Sequence, residues 1–311
     1  MRSTTRSDVA RLAALTAATA TWGSTFIVTK RTLDDLAAPS FLTWRFGIAA
    51  LVLVLARPGR VRSLTATQVR HGCLLGAFLA TGFLLQTTGL LAVSATTSGF
   101  LTGTMVVLTP VAAQAVFSER VGAAGWAAVL LAMVGAALLL LRGWSLGSGA
   151  LLTVAGAACF ALHIAGLSRW ATAGNAYGLT ALSVLVAAGL TAGAAVVSGV
   201  LVAPPTPAAW QAVVYLAVVA TCVGFAVQAW AQSGLTATRA AVVMTLEPLF
   251  AAVIAAAPGG ERLSAVGAVG GLIMVAAMFV AELGPRECCD AMSPPPRVLL
   301  TGGASVSRST G

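Results

Sequence analysis

The sequence predicts an all-α integral membrane protein with ten transmembrane helices, arranged as two inverted five-helix repeats. Composition, the spacing of apolar windows and an internal repeat carry that prediction. Of the 311 residues, 58% are hydrophobic and 9% charged, and the mean hydropathy is +0.93. Soluble domains carry about 25% charged residues, so this chain has too little polar surface to cover a globule. Eighteen Lys and Arg against nine Asp and Glu give a net charge of +9. In a soluble protein that balance would point to nucleic acid. Here the basic residues cluster in loops and termini and act as topology signals, so the expected partner is a lipid bilayer and no nucleic acid.

Windows of about 20 mostly apolar residues fall at about 11–29, 39–56, 70–90, 95–117, 122–141, 148–168, 177–198, 210–231, 237–257 and 264–283. Between them lie short loops punctuated by Arg57-Pro58-Gly59-Arg60, Gly143 to Gly149, Pro204-Pro205-Thr206-Pro207 and Pro258-Gly259-Gly260. Residues 1–10 form a short basic N-terminus. The apolar run behind it is interrupted by threonines and followed by many more spans, so it reads as a first transmembrane helix rather than a cleaved signal. Residues 284–311 are rich in Pro, Ser and Gly and predict a disordered tail.

With ten spans both termini share one side. That side collects thirteen of the eighteen basic residues, among them Arg57, Arg60, Arg62, Arg70, Arg120, Arg169 and Arg239. The other side holds Lys30, Arg31, Arg142 and Arg262, and Arg45 falls inside the second span. The positive-inside rule therefore places both termini in the cytoplasm.

The internal repeat is read from matched anchors. Phe83-Leu84-Leu85-Gln86 and Phe225-Ala226-Val227-Gln228 lie 142 positions apart, as do Ser118-Glu119-Arg120-Val121 and Gly260-Glu261-Arg262-Leu263, and Gly125 and Gly267. Leu108-Thr109-Pro110 matches Leu246-Glu247-Pro248 at a spacing of 138. The repeats are bounded at 11–141 and 148–283. Five spans per copy force opposite orientations across the bilayer, and inverted repeats carry their site near the midplane between the copies.

The chain is organised around Thr236 to Leu263, a nearly all-apolar run that holds Glu247 and Pro248. An ionised Glu in hydrocarbon costs several kcal/mol, so it faces a partner or a watery cavity rather than lipid. Proline removes a backbone donor and exposes carbonyls at that level. The bland alternative is a structural kink with a Glu near a helix end.

In this order the residues resemble the EamA-like branch of the drug/metabolite transporter superfamily, over about residues 10–283. The resemblance rests on Thr21-Trp22-Gly23-Ser24-Thr25-Phe26, then Pro39 and Trp44-Arg45-Phe46, then Thr97 to Gly103 leading to Leu108-Thr109-Pro110. In the second copy it rests on Leu246-Glu247-Pro248-Leu249-Phe250, then Gly260-Glu261-Arg262-Leu263 and Gly267. It implies two inverted five-helix halves around a central cavity, working as an exporter or permease for amino acids, other metabolites or drugs. The sequence departs in two places. Ser118-Glu119-Arg120 follows its proline more closely than Gly260-Glu261-Arg262 does, and Thr109 stands where the second copy has Glu247.

Seven residues are the cavity candidates. Arg45 either holds an anionic substrate group or snorkels to head groups. His163, mid-span in the sixth helix, suits a proton step or a hydrogen-bonded structural role. Gln86 and Gln228 read polar ligand groups or tie helices together. Trp22 and Trp230 line or gate a cavity or anchor at an interface. Glu247 binds substrate and, with His163, is the candidate for coupling transport to an ion, a proton first. Gly99, Gly103, Gly135, Gly156, Gly267, Gly270 and Gly271 allow close helix approach.

Other classes fit poorly. The chain has no HExxH, G-x-S-x-G or P-loop and no paired membrane Asp, so it is not read as an enzyme. No repeated pore loop or charged ring suggests a channel. Cys73, Cys159 and Cys222 lie in apolar spans, Cys288-Cys289 is a candidate acylation pair, and no metal-ligand spacing exists. No cofactor is implied. The reading is a cytoplasmic-membrane secondary transporter of a small amino-acid-like or drug-like solute, exporting it and driven by the solute gradient or a coupled ion, a proton first. A lipid flippase or an uncoupled facilitator on the same fold is the alternative. The sequence sets no oligomeric state.

Overall fold

A computed structural model describes residues 6–93, 95–118, 121–140, 147–255 and 265–283. Every regular element among them is helical, and no strand occurs. The first part of the chain forms α1 (Arg6–Thr32), α2 (Ala38–Ala56), the short α3 (Pro58–Arg62), α4 (Ala66–Ala92), α5 (Ala95–Gly103), α6 (Met105–Phe117) and α7 (Ala123–Leu140). The second part forms α8 (Ser148–Trp170), α9 (Ala176–Val197), α10 (Pro207–Tyr215), a π-helical turn at Leu216–Val223, α11 (Gly224–Gln232), α12 (Ala237–Met244), α13 (Glu247–Ala255) and α14 (Ala265–Leu283).

Helix starts follow local chemistry. Thr65 and Gln68 close a capping box on α4, with Gln68 N donating to Thr65 Oγ1 at 3.3 Å and Thr65 N to Gln68 Oε1 at 3.0 Å. Thr206 caps α10 through Ala209 N at 3.1 Å, with Pro207 in the first turn, where a missing N–H costs nothing. At the far end of α1, Lys30 Nζ donates to the carbonyls of Leu90, Leu91 and Val93, a cation on the carbonyl end of α4.

Seven helical segments among the described residues are long and apolar enough to cross a membrane: 7–32, 38–56, 66–92, 97–117, 148–170, 176–197 and 207–232. Large apolar side chains stand on the outside, Leu55 at 68% and Leu272 at 70% exposure among them. In water such a surface is a liability; against lipid tails it is the expected exterior.

Two expected spans are interrupted. The 95–117 window turns at Thr104, between α5 and α6, with Pro110 inside α6. The 237–257 window stops at Met244, passes through Thr245 and Leu246, and restarts at Glu247. Pro248 therefore lies in the first turn of α13, so it ends one helix and begins another rather than kinking a continuous one. The 210–231 window contains the π turn, which nothing in Leu216–Val223 announces. The Gly260-Glu261-Arg262 motif, Glu119-Arg120, most of the Gly143 to Gly149 loop and the tail with Cys288-Cys289 lie outside the described residues.

Packing is set by small residues. α4 lies along α8, α2 along α9 and α7 along α14, while α1 rests on α11 and α13. A Cβ on Gly156 would stand 2.8 Å from Gly82 O and 3.1 Å from Gln86 N, so the backbones of α8 and α4 nearly touch. We expect Gly156→Val to lower stability by about 1–3 kcal/mol, the usual cost of overpacking a tight seam. The check is the melting temperature of the purified protein in detergent. An unchanged melting temperature would show that the seam is slack.

Candidate functional site

The polar side chains of α1, α2, α4, α8, α11 and α13 converge on one cavity. It is lined by Trp22, Arg45, Gln86, His163, Gln228 and Glu247, six of the seven candidates from the sequence. Trp230 is not among them. It is 40% exposed, and the guanidinium carbon of Arg11 lies 5.9 Å from its ring centroid. The physical reason is helical phase: two residues beyond Gln228 is about 200° around α11, so a helix that turns Gln228 inward turns Trp230 outward.

The π turn supplies two of the site's anchors. Trp22 Nε1 donates to Ala220 O at 2.8 Å. Thr221 Oγ1 donates to Leu216 O at 2.8 Å and accepts from Arg45 Nε at 2.9 Å. The widened turn thus holds both the indole and the guanidinium in place, a known use of π-bulges at functional sites. Arg45 is 2% exposed and its guanidinium carbon lies 4.6 Å from the Phe83 ring centroid. It points to the cavity, not along its helix toward head groups.

Glu247 is 8% exposed and is the first residue of α13, where the helix dipole favours a carboxylate. Gly23 lets α1 close on that turn, since a Cβ there would sit 2.8 Å from Ala251 N and 3.0 Å from Glu247 O. Arg45 and Glu247 place opposite formal charges on the lining of one cavity. No salt bridge within 4.0 Å joins them, and among the described residues the Glu247 carboxylate has no hydrogen-bond partner. Both charges keep capacity for a ligand.

The neutral groups are held more firmly. His163 Nδ1 lies 3.0 Å from Leu75 O. A carbonyl only accepts, so Nδ1 carries a proton and Nε2 is the nitrogen left to titrate. Gln86 Nε2 donates to Thr102 Oγ1 at 2.7 Å, and Gln228 Nε2 donates to Gln232 Oε1 at 2.9 Å. Aromatic rings complete the wall: Phe83 meets Phe160 at 5.0 Å and Phe225 at 6.2 Å, and Phe225 meets Trp22 at 5.5 Å between centroids. Thr221, Phe83, Phe160 and Phe225 were not singled out from the sequence as cavity residues. Phe83 and Phe225 stood within the repeat anchors Phe83 to Gln86 and Phe225 to Gln228, where a matched aromatic three residues before a matched Gln signals one shared face. Among the described residues no group of three His, Cys, Asp or Glu is placed to hold a metal ion.

An all-helical fold with an apolar exterior around a buried polar cavity is that of a multi-pass membrane protein, and sequence comparison narrows it. The EamA-like transporter family matches residues 10–141 and again 147–282. A protein of Archaeoglobus fulgidus described as an uncharacterized transporter is 30% identical over 271 residues, 84% of this chain and 82% of that protein. A solved crystal structure superposes with a TM-score of 0.72 over 86% of this chain and 95% of the other, at 18% identity, a likeness of fold. The chain belongs to the EamA-like transporter family.

Proposed function

We propose that the protein is a secondary transporter that moves a small amino-acid-like or drug-like solute outward across the cytoplasmic membrane, with both termini in the cytoplasm. One observation carries this reading: a guanidinium and a carboxylate share a buried, aromatic-walled cavity and are not paired with each other. Buried charges are costly unless partnered. A solute with an anionic and a cationic group completes both, with Arg45 taking the anion and Glu247 the ammonium. Gln86, Gln228 and Trp22 line the same cavity.

The ten-helix, inverted-repeat architecture belongs to this proposal, with halves at 11–141 and 148–283. Supporting it, the family matches the chain twice in tandem. The helix pairs in direct contact, α2 with α9 and α7 with α14, hold equivalent places in the two halves. The two interrupted segments are packed together: α5 touches α13 and α6 touches α12, and a Cβ on Gly103 would stand 3.8 Å from Pro248 Cγ. Such halves rock about a fixed central site. No nucleotide-binding motif is present in the sequence, so the driving force is a gradient, and we assign a proton to Glu247 or to His163 Nε2.

A lipid-flippase reading has one observation in its favour, an apolar groove on the outer face between α1 and the π turn, lined by Ala14, Ala18, Val219 and Val223. Inside-out membrane vesicles, supplied with pooled labelled amino acids and cationic dyes with and without a pH gradient, separate the alternatives. Gradient-dependent accumulation is expected. Movement that equilibrates and stops would mean an uncoupled facilitator, and no movement of any solute together with lipid scrambling would replace this reading by the flippase.

A further inference from the structure

We propose that Gln232, which lies outside the cavity, is a positioning residue that fixes which end of the Gln228 amide faces the solute and so makes the site select for an N–H donor. Gln232 is 1% exposed and its Nε2 donates to Ile164 O at 3.1 Å and to Ser168 Oγ at 2.8 Å, both on α8. Amide orientation is ordinarily ambiguous, but here chemistry settles it. The Ile164 carbonyl can only accept, so the nitrogen of Gln232 must face it. Gln232 Oε1 then turns toward Gln228, and an oxygen can only accept there. Gln228 must present its NH₂ to Gln232, at 2.9 Å.

The consequence falls at the cavity. Gln228 lines it, is 1% exposed, and its Oε1 has no hydrogen-bond partner. A buried acceptor without a partner is costly, of the order of 1–3 kcal/mol, and a donor entering the cavity relieves that cost. Glu247 lines the same cavity and is also acceptor-only when ionised. The relay from Ile164 through Gln232 to Gln228 therefore adds a second acceptor, beside that of Glu247, to the cavity that Arg45 also lines. A solute carrying an ammonium satisfies that acceptor; its des-amino analogue leaves the acceptor unpaired and is disfavoured. Without Gln232, the Gln228 amide is free to turn and offer a donor instead.

The inference rests on the proposed solute class, and the test separates the two. Equilibrium binding of L-phenylalanine and of its des-amino analogue 3-phenylpropionate is measured on the purified full-length protein. The unaltered protein is expected to prefer phenylalanine. In Gln232→Met the preference falls by about 10-fold, the worth of one good hydrogen bond to a charged group, through weaker phenylalanine binding with 3-phenylpropionate unchanged. Ser168→Ala removes one of the two anchors and reduces the preference by about threefold, which keeps the test open should Gln232→Met fold poorly. In a Gln228→Met background, adding Gln232→Met changes the preference no further, because the group it positions is gone. Parallel loss of both ligands in Gln232→Met, or a further fall in the double variant, would make Gln232 a packing residue and overturn the inference. Binding of neither probe by the unaltered protein would instead overturn the amino-acid-like reading, and the inference with it.

Discussion

Arg45→Ala is expected to reduce transport by about 100-fold or more while the protein still inserts and purifies at normal yield. The magnitude follows from what the guanidinium does. Without it the solute's anionic group enters a dry cavity with no partner, and leaving one charge of a desolvated contact unpaired costs about 2–5 kcal/mol in comparable interfaces. Arg45 is also tied to the π turn through Thr221, and its face lies on Phe83. Arg45→Lys should not rescue fully, because a point ammonium cannot donate to Thr221 and stack on Phe83 while presenting a planar fork to an anion. Initial rates in proteoliposomes, beside a measure of folded protein such as melting temperature, check this. Transport by Arg45→Ala near that of the unaltered protein would remove Arg45 from the site.

Glu247→Gln is the second large effect expected. The substitution keeps the shape of the side chain and its place at the start of α13, and removes only the charge and the ability to carry an exchangeable proton. Net accumulation driven by a pH gradient should be lost. Exchange of labelled for unlabelled solute should survive in part if Glu247 carries the proton, because exchange needs binding but no net proton movement. If exchange is lost as well, Glu247 binds solute directly and His163 Nε2 becomes the group to test by His163→Gln. Full gradient-driven accumulation in Glu247→Gln would contradict both roles.

The sequence shows the membrane class and the location of the polar interior because charged residues in apolar runs are rare and costly. Arg45, His163 and Glu247 each stand out against their neighbours for that reason, and matched repeat positions singled out Gln86 and Gln228. All five line the cavity in the structure. What stayed hidden was either ordinary or geometric. Phe160 and Thr221 are unremarkable in a transmembrane helix, and only their contacts distinguish them. The π turn that lets Ala220 and Thr221 serve as anchors has no compositional mark, since Leu216–Val223 reads like any apolar stretch. Trp230 was a cavity candidate as an aromatic large enough to line or gate it, yet the phase of α11 that brings Gln228 inward sends it out. The breaks at Thr104 and Thr245-Leu246 were legible only as proline signals, and in the first of them the turn falls six residues before Pro110.

The measurement closest to the central claim is equilibrium binding of three ligands that differ only in their charged groups: L-phenylalanine, 3-phenylpropionate without the amine, and phenethylamine without the carboxylate. Two opposite poles in one cavity predict that the unaltered protein binds the zwitterion best. They also predict that Arg45→Ala erases its advantage over the amine, and that Glu247→Gln erases its advantage over the acid. If each variant weakens all three ligands alike, or neither weakens any, the two charges do not form the binding poles.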